Sequence, residues 1–596
     1  MLRMLKQENR TGWLMLAVLF LLILLPLAAV VIQVLLPGVF FGSLKIGDLS
    51  LLLDVFRRPL WYASLQNSVT LGIGTTLLGT ALGTALAMVR RRWAFPTARL
   101  LDLAVWLLLI TPSFILAQGW VMFASADGLA AEWLGWSGLH SLVFQPAGLI
   151  VVMTLSKFPL AYLTVSAALE WKVDQLNDAA RLSGASPWTV WRTIQAPLML
   201  PALCSGAMLV FMDTVGDFGL PASIATVFRY PTLPYSVYSA LYTSPIRFDM
   251  AGALSFYLVL LIALAMSVQL YMLRRSRYDF LTSRATRSEP RKPRRRTASA
   301  MLAGGNALFL LVVVGIPFGS NALMSVAGEG AERGRLTLSH YRELFHSGGV
   351  MLEGLTHSLE IAAAAALLGL LVGFLIAYVL TFSQFKLRRT IDVISLVSLA
   401  VPGIVLGIGY IFIWNQKWLE HIGLLLYGTP WILVLASVAG AIPIITRVIV
   451  GAMAKVPAQL LAAAQMQGAS FTRRMATVLV PLTRGAIVSA GLAAFGATVF
   501  DLAIASILYP PNYMTLPVVI NKAFEDLRFG YAAAATLTGG GLVILLIVIL
   551  EWLVVRPKRI ARLWRRKQQL TQPEHSSHPL QPSQSYQTTP ARRPSA

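Results

Sequence analysis

At 596 residues, with 56% hydrophobic and 13% charged residues and a mean hydropathy of +0.68, the chain lies outside the composition of ordinary water-soluble domains. A formal net charge of +23 would suit a nucleic-acid binder, but the Lys and Arg residues flank apolar runs (Arg3, Lys6 and Arg10; Arg90 to Arg92 with Arg99; Arg274 to Arg296; Arg556 to Lys567), which argues for a membrane face and against nucleic acid. The single cysteine, Cys204, excludes a disulfide framework and a Cys metal site.

In chain order, apolar runs long enough to cross a hydrocarbon core of about 30 Å as helix are predicted near 13–36, 66–89, 100–122, 147–169, 198–219 and 251–273. The first has a basic start like a signal peptide, but it is too long for one and lacks a small-residue cleavage site, so it reads as a retained span. Residues 274–300 carry ten Lys or Arg among Ser, Thr and Pro, the composition of a flexible cytoplasmic linker. The pattern restarts with spans near 301–320, 356–381, 391–414, 431–453, 482–508 and 531–554, and a basic, Pro/Ser/Gln-rich tail over 556–596 cannot bury a core. The expectation is an all-α polytopic membrane protein of about twelve spans, with a first half over 1–273 and a second over 301–555.

Charge placement orients it. With the N-terminus inside, the second span ends inside at Arg90-Arg91-Arg92, and the loop around Asp127 and Glu132, without Lys or Arg, falls outside. The fourth span then returns inside at Glu170, and both termini are cytoplasmic.

The two halves repeat one another. Leu-Leu-Gly at 77–79 matches 367–369, Asp102 matches Asp392 and Pro112 matches Pro402, all separated by 290. Pro146 matches Pro430, Pro159 matches Pro443 and Asp217 matches Asp501, separated by 284. Tyr-Pro-Thr-Leu-Pro at 230–234 matches Tyr-Met-Thr-Leu-Pro at 513–517. An even number of spans per half makes this a parallel repeat about an axis along the membrane normal. Gly79 and Gly83, like Gly369 and Gly373, have the spacing of close helix packing.

One repeated stretch lies in the loop after the fourth span of each half. In Asp178 to Pro197, Asp178-Ala179-Ala180 favours helix, Gly184 and Pro187 end it, and Ser186 with Pro187 can start another. The second copy runs from Ala462 through Ala463, Ala464 and Gly468 to Pro481, with the same thirteen-residue step from Gly to Pro. A helix-break-helix here is either a connector packed on its own bundle or a protruding element docked in a partner; duplication on one face suits a twofold partner.

This spacing resembles the EAA loop of permease subunits of binding-protein-dependent ATP-binding-cassette importers. Asp178, Ala179, Ala180, Gly184, Ile194 and Pro197 fit, with Asp for Glu and Ala196 for Leu; in the second copy Ala462 replaces the acid, and Val478 and Val480 replace Ile and Leu. The resemblance runs from about residue 60 to 555 and is strongest to the fused ferric-iron type, close to the thiamine, polyamine and aminoethylphosphonate permeases. It implies a multi-pass protein of the bacterial inner membrane whose loops couple to two separate ATPase subunits. The resemblance further implies that those subunits bind the ATP and Mg, that a solute-binding protein delivers substrate, and that this chain has no catalytic residue, cofactor or resident metal of its own.

The absence of a Gly-x-x-x-x-Gly-Lys-Ser/Thr loop agrees with a separate ATPase. Asp213 and Asp217, toward the outer end of the fifth span, and Asp501 at the matching place are candidates for a cation path, because intramembrane acids usually face a cavity; the competing reading is that they cap or hydrogen-bond neighbours. His340 and His346 with Glu343 match no helical face and read as a solvated loop, Tyr230, Tyr235, Tyr238 and Tyr242 as an outer aromatic stretch, and Lys157 and Arg447 as span residues without an assigned partner. The alternative architecture is a twelve-helix secondary transporter of the major-facilitator type, which would not require the doubled Gly-to-Pro spacing; no acid pair or nucleophile motif supports a membrane enzyme.

Overall fold

Proline sets where many of the spans begin. Pro59, Pro146, Pro187 and Pro430 each take the first helical position, where a missing N–H leaves no bond unmade. In the computed structural model, which describes residues 2–41, 50–169, 174–275, 296–328, 335–346 and 349–555, the first half reads α1 (Asn9–Leu35), α2 (Pro59–Arg92), α3 (Ala98–Ile110), α4 (Ser113–Ala124), α5 (Pro146–Leu169), α6 (Pro187–Gly216), α7 (Gly219–Ile224), α8 (Leu233–Tyr242) and α9 (Phe248–Arg275). The second half repeats the series as α10 (Arg296–Met324), α11 (Val350–Phe382), α12 (Arg388–Ala400), α13 (Gly403–Trp414), α14 (Pro430–Met453), α15 (Phe471–Val499), α16 (Leu502–Leu508), α17 (Leu516–Glu525) and α18 (Phe529–Val555). Among the described residues, 11 helices are long and apolar enough to cross a membrane, with α4 counted through the short helix that follows it as Ser113–Leu134, or 12 with α12 and α13 as one bent span. The fold is therefore the expected all-helical, two-repeat bundle.

Contacts gather residues 1–547 into one unit and 548–596 into another, whose described part is the end of α18. Of the predicted linker, the two ends are helical, to Arg275 and from Arg296; residues 276–295 and the tail at 556–596 lie outside the described residues.

The predicted third spans, 100–122 and 391–414, are not continuous. Pro112 and Pro402 push the residue before them out of the helical region, so Thr111 and Val401 are extended (ψ 127° and 123°) and each span breaks in two. Between α12 and α13 the bend is 109°. The predicted span 482–508 is also corrected, since α15 ends at Val499 and α16 starts at Leu502, with Asp501 in the break.

Helix directions follow from close glycine contacts. Gly74 meets Ile150 while Gly83 meets Phe158 and Ala161, so α2 and α5 run parallel; Gly72 meets Val215 and Gly79 meets Val210, so α6 runs antiparallel to α2. Gly369 and Gly373 meet Ala441, Ile445 and Thr446 in the same sense on α11 and α14.

The halves exchange their first helices. A Cβ at Gly119 on α4 would run into the carbonyl oxygen of Pro317 on α10, and a Cβ at Gly409 on α13 into that of Pro26 on α1. Tyr410 donates to the Leu22 carbonyl (3.0 Å), and Asn321 Nδ2 donates to that of Ile115 (3.3 Å). Both helices carry a wide π-turn, Phe20–Leu24 and Leu311–Gly315, ending two residues before Pro26 and Pro317. A proline has no N–H, and its ring presses on the carbonyl four residues back; widening the turn relieves the clash.

Candidate functional site

The repeated loop is built the same way twice. Helix Asp174–Leu182 is followed by Gly184 at φ 85°, and helix Ala458–Met466 by Gly468 at φ 81°, a left-handed conformation that glycine adopts without a Cβ penalty. Ala185 N–H donates back to the Ala180 carbonyl (3.0 Å), and Ala469 N–H to that of Ala464 (3.1 Å). Ser186 and Ser470 then cap the next helix, accepting from Thr189 N–H (3.1 Å) and Arg473 N–H (3.3 Å).

The closing proline of each motif also has a local role. π-turns Trp191–Gln195 and Met475–Leu479 end two residues before Pro197 and Pro481, as in α1 and α10. Within them the Thr193 hydroxyl donates to the Thr189 carbonyl and the Thr477 hydroxyl to the Arg473 carbonyl, both at 2.6 Å. The second helix of each loop is thus continuous with the span it leads into, from Pro187 in α6 and from Phe471 in α15.

Each tip exposes one large apolar side chain. Leu182 is 89% exposed and Met466, its counterpart 284 residues on, 84%. Asp178, Ala179, Pro197, Ala462, Ala463 and Pro481 are exposed, while Ala180, Ile194, Ala464 and Val478 are half-buried. The copies differ in support. In the second, Phe471 packs edge-on against Tyr378 of α11 (5.2 Å), and buried Arg474 donates to Gln465 Oε1 (3.1 Å). In the first, Trp188 and Trp191 stack on one another (5.0 Å) and stay exposed.

The Thr-Leu-Pro repeat starts α8 and α17. Ser68 on α2 accepts from Leu233 N–H (2.7 Å), and Ser358 on α11 accepts from Leu516 N–H (2.8 Å), so a hydroxyl from the second span of each half holds the helix entry.

The intramembrane charges pair up. Lys157 Nζ, midway along α5, lies 2.7 Å from Asp213 Oδ2 and 2.6 Å from Asp217 Oδ2. Asp217 Oδ1 also accepts from the Ser113 hydroxyl (2.7 Å) and from Leu220 N–H (3.1 Å), while Asp501 Oδ1 accepts from Ile504 N–H (3.0 Å). Both acids therefore cap the short helix that follows, and only the first has a lysine. Arg447 Nη2 pairs with Asp392 (2.7 Å), whereas the matching Asp102 takes Arg90 Nη2 (2.8 Å) and the Tyr162 hydroxyl (2.8 Å). The sequence located these cations without their partners; for Lys157 the usable signal was that a mid-span ammonium needs a carboxylate and Asp213 and Asp217 sit in the next span.

His340 is buried, against the solvated reading, with Nε2 2.9 Å from the Ala327 carbonyl oxygen. His346 Nδ1 lies 3.1 Å from the Arg342 carbonyl oxygen, and Glu343 accepts from Arg528. Of the tyrosines, Tyr238 and Tyr242 stack (4.5 Å), and Tyr242 donates to the Ser506 carbonyl (2.5 Å), joining the two halves. Tyr513 donates to Glu360 (2.7 Å); burial, with that carboxylate, raises its phenol above the usual range.

Comparison with known proteins follows the same division. The family model for the binding-protein-dependent transport system inner membrane component matches twice, over residues 79–278 and 369–558. A ferric transport system permease protein of Actinobacillus pleuropneumoniae is 22% identical over 504 residues, covering 82% of this chain and 71% of that protein. A molybdenum transport system permease protein of Escherichia coli strain K12 is 30% identical over 190 residues, 32% of this chain and 81% of that one. A probable ABC transporter permease protein of Sinorhizobium fredii is 24% identical over 500 residues, 80% of this chain and 84% of the other.

Proposed function

The chain belongs to the family of binding-protein-dependent transport system inner membrane components, the permeases of ABC importers, and from that footing we propose that its two repeated loops, Asp178 to Pro197 and Ala462 to Pro481, are where two separate ATPase subunits dock and drive it. Family membership sets aside the major-facilitator alternative. The observation that carries the proposal is the duplicated loop geometry: glycine-closed helix, serine cap and π-turn in both copies, each ending in an exposed apolar tip at Leu182 or Met466. An exposed apolar tip is the shape a partner's groove covers, and the unbroken path through the π-turn into α6 or α15 carries rotation of the loop into the bundle.

ATP and Mg belong to those subunits, and an external solute-binding protein hands over the cargo. The positive-inside distribution puts the loops and both termini in the cytoplasm. The cargo is ferric iron or a related small solute, on the strength of the ferric permease relative. The test is purification of the tagged chain from cells that make its neighbours, in wild type and with Gly184 and Gly468 replaced by valine. A P-loop ATPase copurifies with the wild type and is lost from the double variant. Its absence under every condition overturns the proposed ATPase partnership, and its retention by the double variant overturns the loops as docking sites. Transport of radiolabelled ferric iron, thiamine, putrescine and aminoethylphosphonate into cells decides the cargo.

A further inference from the structure

The second half contains a small cavity of about 10 Å³, room for one water-sized particle, into which Ser358, Ser437, Thr498, Asp501 and Thr515 bring oxygen atoms beside six apolar lining residues. These residues come from α11, α14, α15, the α15–α16 break and the entry to α17. Thr515 is 4% exposed, and its Oγ1 has no hydrogen-bond partner among the described residues.

The repeat supplies a direct comparison. Asp217 and Asp501 are equivalent and make the same bond, to Leu220 N–H and to Ile504 N–H, themselves 284 residues apart. Beside Asp217 stands the Lys157 ammonium. At the position equivalent to Lys157 the second half has Ala441, and at that of Met153, one turn earlier, it has Ser437. Asp213 is matched by Ala497, so one carboxylate is left to balance. Where the first half has a built-in cation, the second has an acid, a cavity and hydroxyl oxygens.

We propose that this cavity binds a small monovalent metal cation, sodium by its size, held by Asp501 with Ser437, Thr498 and Thr515 in the place that the Lys157 ammonium takes in the other half. Carboxylate and hydroxyl oxygens suit a hard cation, and a single positive charge matches the single acid. The ion is structural in its effect, joining the end of α15 to α11, α14 and α17 as Lys157 joins α5 to the end of α6.

The test measures the thermal unfolding midpoint of the purified full-length protein in detergent, in NaCl and in choline chloride at equal concentration and pH. Sodium binding to the folded state raises the wild-type midpoint by about 2 °C; choline is too large to enter. Asp501→Asn and Ala441→Lys both abolish the difference, and Ala441→Lys in choline matches or exceeds the wild type in sodium. If Asp501→Asn does not fold, Ser437→Ala, which removes one donor, shifts the sodium response to higher concentration. Equal wild-type midpoints in the two salts overturn the proposal, as does a sodium shift that survives undiminished in both Asp501→Asn and Ser437→Ala.

Discussion

Lys157 and Asp217 form an ion pair at 2.6 Å in which both side chains are largely shut off from solvent, at 11% and 4% exposure. In such surroundings removing one partner strands the other's charge, at about 3–5 kcal/mol, whereas removing both is far milder. Lys157→Met should therefore lower the unfolding midpoint sharply, and Lys157→Met with Asp213→Asn and Asp217→Asn should recover most of the loss. A triple variant no more stable than the single one would show that the lysine acts through packing and not through charge.

Much of this was legible in the sequence, and where it was not the reason is local. The repeat, the number of spans and the small-residue loops follow from hydropathy and from matched prolines and glycines. Pro112 and Pro402 were visible as a matched pair, yet the runs 100–122 and 391–414 read as continuous because composition stays apolar across the break, and only the backbone restriction before proline separates α3 from α4 and α12 from α13. The π-turns before Pro26, Pro197, Pro317 and Pro481 add a residue to a helix without altering its hydropathy. Partners such as Lys157 with Asp217 depend on which helices adjoin, and the exchange of α1 and α10 between halves depends on Gly409 and Gly119 finding Pro26 and Pro317, contacts that no periodicity within one segment encodes.

That exchange gives a second prediction. At Gly119 and Gly409 an added Cβ meets backbone, which cannot rotate away, while at Gly485 on α15 it meets nothing within 4 Å. Gly119→Ala and Gly409→Ala should each destabilise the protein, by about 1–3 kcal/mol as expected for overpacking, and Gly485→Ala should leave it unchanged or slightly more stable through helix propensity. The ordering of the three unfolding midpoints checks this, and a Gly485→Ala variant as damaged as the other two would count against it.

The two loops should differ in sensitivity. Valine at Gly184 or Gly468 forces a side chain into the left-handed region, a strain of about 1–2 kcal/mol, but neither site has a neighbour within 4 Å, so the bundle should remain folded. Asp178 is exposed and has only Ala462 opposite it in the repeat, and the second loop is braced through Phe471 on Tyr378. Energised uptake, normalised to protein in the membrane, should fall further in Gly184→Val than in Gly468→Val. Equal losses would show that the asymmetry of the motif has no functional weight.

Asp392 and Asp102 occupy matching positions yet draw their arginines from different helices, Arg447 on α14 and Arg90 on α2. The residue matching Arg90 in the second half is Leu380 on α11, and the residue matching Arg447 in the first is Leu163 on α5. If what matters is a guanidinium beside the aspartate that begins the broken span, its origin is interchangeable. Arg447→Leu alone should lower the unfolding midpoint modestly, since both partners lie near one end of their helices and are more than a third exposed, where such pairs contribute about 0–1 kcal/mol. Adding Leu380→Arg should restore it, because an arginine there enters from the direction that Arg90 takes to Asp102. Failure of the transplant, with both variants folded and equally labile, would mean that α14 needs Arg447 for more than its charge.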